Sequence, residues 1–187
     1  SVSSRAGTQV SATAPESPHM WIRTVRWAWP VPVVPAEGQA VVGRILFRNS
    51  CVGSVTISRI HMVYSGPNPF LIRSVALINT HDAEPLTELT PLVLSTNHRS
   101  GDAELLLDPP VELQSCERDP TVSFEERADL FSMDIVVGAQ EDQGDWSVHT
   151  LYFVPEWVTA DGLVVWDNKV NPTEGIFQFF TGKDAGV

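Results

Sequence analysis

The sequence predicts an all-β fold, an antiparallel β-sandwich or jelly roll with one or two short helices. Two observations carry this. Apolar residues recur with period two in short runs, the signature of strands with one buried face. Clusters of Pro, Gly, Asn and Asp separate these runs: SGPNP at 65–69, NHRSGD at 97–102, DPP at 108–110 and GAQEDQGD at 138–145. Short strands at this spacing fit a sandwich and not a parallel βαβ sheet.

Residues 1–19 are small, polar and aperiodic, so they read as an extended arm without a core of its own, ordered only where a neighbour holds it. The remainder, 20–187, reads as one domain, large enough to bury a core without cross-links. Its first strand begins near Trp21, where the odd positions Trp21, Val25, Trp27 and Trp29 share a face that Arg23 interrupts. Pro30, Pro32 and Pro35 then break the strand. Further strands are expected at 40–48, 54–64, 70–79, 103–107, 111–115, 130–137, 146–154, 163–167 and 175–180. The alternation is clearest at 130–137, with Phe131, Met133, Ile135 and Val137 on one side and Ser132 and Asp134 on the other. Ser123 and Glu126 form an S-x-x-E capping box that predicts a short helix over 124–129, and a second helical stretch is expected over 83–89.

Composition bounds the function. Apolar residues make up 43% and charged residues 19%, a globular balance. Twelve Lys and Arg against 23 Asp and Glu give a formal charge of −11, and no basic run could neutralise several phosphates, so nucleic acid is not an expected direct partner. No apolar run approaches the ~18 residues of a membrane span, and the N-terminus lacks a basic-then-apolar signal peptide. The first residue is Ser1 and not methionine, which points toward a processed chain. Cys51 and Cys116 could form one disulfide, but they are too sparse for a disulfide framework and read first as two buried thiols.

Catalytic motifs are missing: there is no G-x-S-x-G, H-E-x-x-H, Walker glycine loop or G-x-G-x-x-G, so no enzyme and no cofactor is expected. His19, His61, His81, His98 and His149 show no metal-ligand spacing, and His61 and His149 read as surface or satisfied core histidines. The acidic groups at 82–88 and 141–145 read as solvated turns, with calcium at 141–145 left open. Six tryptophans remain to be placed. Trp27 and Trp146 are expected in the core, Trp157 and Trp166 beside loops, and Trp21, Trp27 and Trp29 as a hydrophobic anchor for an interface.

Two resemblances follow. The segment Phe131-Ser132-Met133-Asp134-Ile135-Val136-Val137-Gly138, with an aromatic strand from Trp146 to Val154 after it, resembles a β segment of the small jelly-roll coat protein of comovirus-type viruses. That resemblance implies an outer coat subunit in the virion, partnered by copies of itself or a second coat protein, with a glycan or receptor on exposed loops. The run Gly43 to Asn49, then Asp129, Phe131 and Ile135, then Trp166-Asp167-Asn168, is similar to starch- and glycogen-binding sandwich modules, with Lys169 where they carry a second asparagine. It implies a cytoplasmic or secreted module in which the Trp166 indole is a stacking platform and Asn168 a hydrogen-bonding arm.

Overall fold

In the computed structural model, residues 20–26, 30–49, 53–115, 120–123, 126–141, 146–154, 158–160, 164–166 and 175–182 are described, with the backbone alone for 158–160 and 164–166. Twelve strands are formed: β1 (Met20–Val25), β2 (Val33–Val34), β3 (Gln39–Asn49), β4 (Val55–Ser65), β5 (Ile72–Asn79), β6 (Val93–Leu94), β7 (Ser100–Leu113), β8 (Leu130–Ala139), β9 (Ser147–Tyr152), β10 (Val158–Ala160), β11 (Val164–Trp166) and β12 (Ile176–Thr181). They make two sheets packed as a sandwich, one in the order β11-β1-β3-β8-β5 and the other β2-β12-β9-β4-β7-β6, with β10 also pairing β4. Neighbours run antiparallel except at two edges, where β1·β11 and β2·β12 are parallel.

Alternation decides which face enters the core. On β3 the side chains of Ile45 and Phe47 point inward, and on β8 those of Met133, Ile135 and Val137 do the same. From the second sheet Ile60, Met62 and Tyr64 of β4, Leu105 of β7, Leu151 of β9 and Phe177 and Phe179 of β12 meet them, all essentially without solvent contact. On β1 the buried residues are Met20 and Ile22, so the odd face that holds Trp21 looks outward.

The expected pair of strands at 103–107 and 111–115 is one continuous strand, β7. Opposite it the register jumps between Ile57 and Arg59, so that Ile57 faces Val111 and Arg59 faces Leu106. Asp108, Pro109 and Pro110 lie in this bulge, where prolines without N–H donors are taken out of the ladder.

Among the described residues there is no α-helix, and a 3₁₀ turn forms at Pro69–Leu71, opened by a proline expected in a loop. Of the two expected helices, the one over 124–129 lies partly outside the described residues, with Glu126 in a 3₁₀ turn, and the one over 83–89 does not form. Over 83–89 the chain runs extended along the edge of β5, with Pro85 bridged to Ile78 and Leu86 N–H donating to the Leu77 carbonyl. That edge bond satisfies backbone that a helix would have satisfied internally. Ser123 and Glu126 do meet, the Ser123 hydroxyl donating to the Glu126 carboxylate at 2.7 Å and Glu126 N–H donating to the Ser123 carbonyl at 3.0 Å, and they close a turn that leads directly into β8. Residues 124 and 125 lie outside the described residues, as do the arm 1–19, Cys51 and Cys116.

The sheets are also tied at their ends. Asn49 is buried at the end of β3, and its amide donates to the carbonyls of Gly53 (2.6 Å), Leu113 (3.1 Å) and Gln114 (2.7 Å). Asn49→Ala is expected to lower stability by about 1–3 kcal/mol, because three carbonyls, the buried one of Leu113 among them, lose their donor. A urea titration checks this, and an unchanged midpoint would mean that the tie is dispensable.

Candidate functional site

The outward face of the five-stranded sheet is a lattice fixed by register. Trp21 lies beside Arg48, which lies beside Leu130. Arg23 lies beside Leu46 and then Ser132, and Val25 beside Arg44 and then Asp134. At the Trp21 end this face opens into a groove of ≈ 630 Å³. Trp21, Leu46 and Leu130 line it from the outward face, and Phe131 reaches it from the core-facing side at the end of β8. Its far wall comes from the end of β7 (Glu112 to Gln114) and from Glu126 to Ala128, with Asn79 and His81 closing the β5 side. This size and mixture of aromatic, aliphatic and planar polar side chains fit a ligand or side-chain acceptor site.

The groove is held in shape from several directions. The Arg48 guanidinium lies over the Trp21 ring, 4.8 Å from its centroid, a cation–π contact that fixes both planes. Arg127 forms a two-pronged pair with the buried Asp129 carboxylate, at 3.0 Å from Nε and 2.7 Å from Nη2. The Asp129 carbonyl accepts from Asn49 N–H, and the Ala128 carbonyl from Gln114 N–H, so the wall is bonded to the ends of both β3 and β7. At the opposite end of the lattice, Arg44 Nε donates to Asp134 at 2.7 Å and the Thr80 hydroxyl donates to the same carboxylate oxygen at 2.8 Å. That bonding lets an aspartate sit shielded on a sheet face.

A second cluster of polar groups lies inside the sandwich. Tyr64 Oη is 2.6 Å from His149 Nδ1, and His149 Nε2 is 2.6 Å from Thr181 Oγ1, while Phe179 stacks on the imidazole with centroids 5.1 Å apart. All four residues are buried. Burial pushes the His149 imidazole down to about 4 and raises the Tyr64 phenol above its ordinary range, a rise that a backbone hydrogen bond from Asn68 opposes. Both ring nitrogens are thereby engaged by hydroxyls, Tyr64 at Nδ1 and Thr181 at Nε2. The cluster reads as a satisfied core network.

Of the tryptophans singled out in the sequence, Trp21 is on the floor of the groove, half-buried. Trp27 and Trp29 lie outside the described residues, and so does Asn168. Trp166 ends β11, where its backbone pairs with Ile22 while Val165 pairs with Trp21. Trp146, expected in the core, is instead 56% exposed on the other sheet, because its parity with Val148 places it on the outward side of β9. His61 is at the surface, bonded to Asp102 at 2.9 Å, and Asp82, Glu84 and Glu88 are solvated, Asp82 accepting from Glu84 N–H within its own turn. Residues 142–145 of the second acidic group are outside the described residues. Among the described residues no three His, Cys, Asp or Glu converge as a metal site. Arg48, Leu130, Gln114 and Arg127 were not singled out in the sequence, since they meet only through register and loop closure. The legible signal was Arg23, a charge on the Trp21 face that marks that face as outward.

No family model matches this chain, and no curated protein does. Solved structures with some likeness include a chain of a type I cohesin–dockerin complex from Clostridium thermocellum, with 11% identity over 87% of this chain and 97% of that chain and a TM-score of 0.34. A collagen-binding domain from a Staphylococcus aureus adhesin has 8% identity over 90% of this chain and 100% of that one, with a TM-score of 0.26. A family 123 glycoside hydrolase from Clostridium perfringens has 10% identity and a TM-score of 0.30. There the match spans 80% of this chain and 21% of the hydrolase chain. Likeness at this level carries no argument about what this chain binds. Among the described residues, no helix is long and apolar enough to cross a membrane.

Proposed function

We propose that this chain is a non-catalytic β-sandwich module that works by docking other protein chains, with the groove beside Trp21 as its contact site. The outer-coat subunit read from the sequence is one form of such assembly. The observation that supports docking over catalysis is the groove itself. It lies on an outer sheet face, is preorganised by Arg48–Trp21 and Arg127–Asp129, and offers an aromatic floor with planar hydrogen-bonding groups around it. The strongly shifted histidine is sealed in the core, away from it. Partner side chains inserted over Trp21 would be gripped by apolar contact and oriented by Arg48, Asn79 and Gln114.

A carbohydrate ligand is the second reading, favoured by Trp21 lying among the amides of Asn79 and Gln114, since an indole stacks on a sugar ring while amides bond its hydroxyls. The test is the sedimentation of the native material together with retention on insoluble starch. Native material is expected to sediment as a complex larger than one chain, and Trp21→Ala is expected to release a folded monomer without affecting passage over starch. Starch retention lost in Trp21→Ala and kept in Trp166→Ala would transfer the groove to sugar. A native monomer that ignores starch would reject both readings.

A further inference from the structure

At the groove wall, the end of the sandwich is gathered around one side-chain nitrogen. Asn49, the last residue of β3, donates from Nδ2 to the carbonyls of Gly53 at 2.6 Å, Leu113 at 3.1 Å and Gln114 at 2.7 Å. The first bond closes the short connection from β3 to β4. The other two join that connection to the end of β7, next to the register pair Val55 and Leu113. The two cysteines of the chain, 65 positions apart in sequence, fall on these two segments: Cys51 midway between Asn49 and Gly53, and Cys116 two residues after Gln114. Both lie outside the described residues, so their place is bounded by their neighbours. Two residues of extended chain reach ~7 Å, and the carbonyls of Gly53 and Gln114 meet at a single atom. A disulfide needs Cα atoms about 4.4–6.8 Å apart, a separation well within the space that the two segments share.

We propose that Cys51 and Cys116 are a redox pair that closes to a disulfide between the β3–β4 connection and the end of β7. Exposure favours the bond over two separate thiols. A free cysteine that packs as a small hydrophobe needs a core position, but the inward rows of both strands end before the cysteines, at Asn49 and at Leu113. The described residues around them, Gly53 and Ser54 in one segment and Gln114 and Ser115 in the other, are exposed. Thiols at such a solvent-facing junction are open to thiol–disulfide exchange. Closure takes one hydrogen from each thiol and forms the S–S bond, while one molecule of glutathione disulfide accepts the two electrons and two protons and leaves as two thiols. The bond encloses the chain from β4 to β7, so it restricts the unfolded state far more than the folded one, in which the two segments already lie together. It also doubles the Asn49 tie at Leu113 and Gln114, both residues of the groove wall.

The inference goes beyond the docking reading and stands without it. Its test is the urea stability of the full chain in two redox states. Wild type is unfolded in urea at low concentration, then oxidised with glutathione disulfide or kept reduced with a phosphine, and refolded. Mass spectrometry confirms the loss of two hydrogens in the oxidised sample. The oxidised chain is expected to refold with a urea midpoint about 1 M or more above that of the reduced chain. Cys51→Ser cannot close the bond and is expected to show one midpoint with and without oxidant. An oxidised wild type that fails to refold, or that refolds with an unchanged or lower midpoint, overturns the inference, since a bond between distant residues strains the fold. A midpoint that rises with oxidant in Cys51→Ser as much as in wild type also overturns it, because the effect then belongs to a glutathione adduct. The comparison of the two wild-type states decides the matter whether or not the variant folds.

Discussion

Phe177→Ala is expected to cost about 3–5 kcal/mol of folding stability, the range for a large aromatic removed from a packed core. Phe177 projects from β12 across the sandwich and is fully buried. Its ring lies directly on the backbone of Gly43 in β3, so closely that any Cβ at position 43 would collide with it. The register of β3 against β8 shifts between Val41 and Gly43, so the strand is bulged at the point where the other sheet presses against it. Gly43 has no Cβ because another residue's ring occupies that space. Gly43→Ala is therefore expected to destabilise by about 1–3 kcal/mol through overpacking. The two substitutions must interact. In Gly43→Ala/Phe177→Ala the new methyl enters the space left by the ring, so the double variant is expected to lose clearly less than the two single losses added together. Urea denaturation of the four proteins measures this coupling. Strict additivity would mean that the ring and the bulge do not depend on each other.

The same bulge shows what a period-two pattern can reveal and where it stops. The long strands were legible because their alternation is strong: β3, β4, β8 and β12 each begin and end within about two residues of the sequence reading. Their pairing was not, because register depends on which face of each strand finds a partner in the other sheet, a non-local property. β2, β6 and β10 hold two or three residues each and exist only as additions to an edge already formed, so no local pattern announces them. The 108–110 prolines were read as a break because proline cannot join a ladder, yet a bulge let β7 continue past them. The tryptophans were harder still. Trp21 and Trp146 are large and apolar, which favours burial, but each has a core-facing neighbour of opposite parity, Met20 or Ile22 in one case and His149 by way of Val148 in the other. Strand geometry sends the tryptophan outward whatever its own preference. The groove beside Trp21 and the exposed Trp146 both arise in this way, from apolar side chains that parity excludes from the core.

Acid is expected to weaken the fold in a defined window because of one residue on that inward face. His149 is held neutral in the core with its pKa down at about 4, whereas in the unfolded chain it has the ordinary value near 6.5. Above pH 6.5 both states are neutral there and the shift has no effect on stability. As pH falls below 6.5 the unfolded chain binds a proton that the folded chain refuses, so stability drops by about 1.4 kcal/mol per pH unit. The decline levels off once the folded-state histidine also protonates below pH 4, after a total loss of about 3 kcal/mol. Burial is the cause, and the geometry explains why no neighbour relieves it. Tyr64 and Thr181 engage both ring nitrogens with neutral hydroxyls, and Phe179 covers a ring face, so among the described residues it is hydroxyls and not carboxylates that meet the ring nitrogens. An imidazolium donates at both nitrogens, so both hydroxyls would have to act as acceptors toward the ring. His149→Gln keeps a donor and an acceptor in the core without a titrating group. It is expected to be less stable than wild type at pH 7 and to lack the histidine part of the decline between pH 6.5 and 4. Chemical denaturation across that range, with imidazole ¹⁵N shifts showing a neutral ring at pH 5.5, measures both halves of the claim. Equal acid slopes in wild type and His149→Gln would show that His149 is not the group whose protonation opens the sandwich.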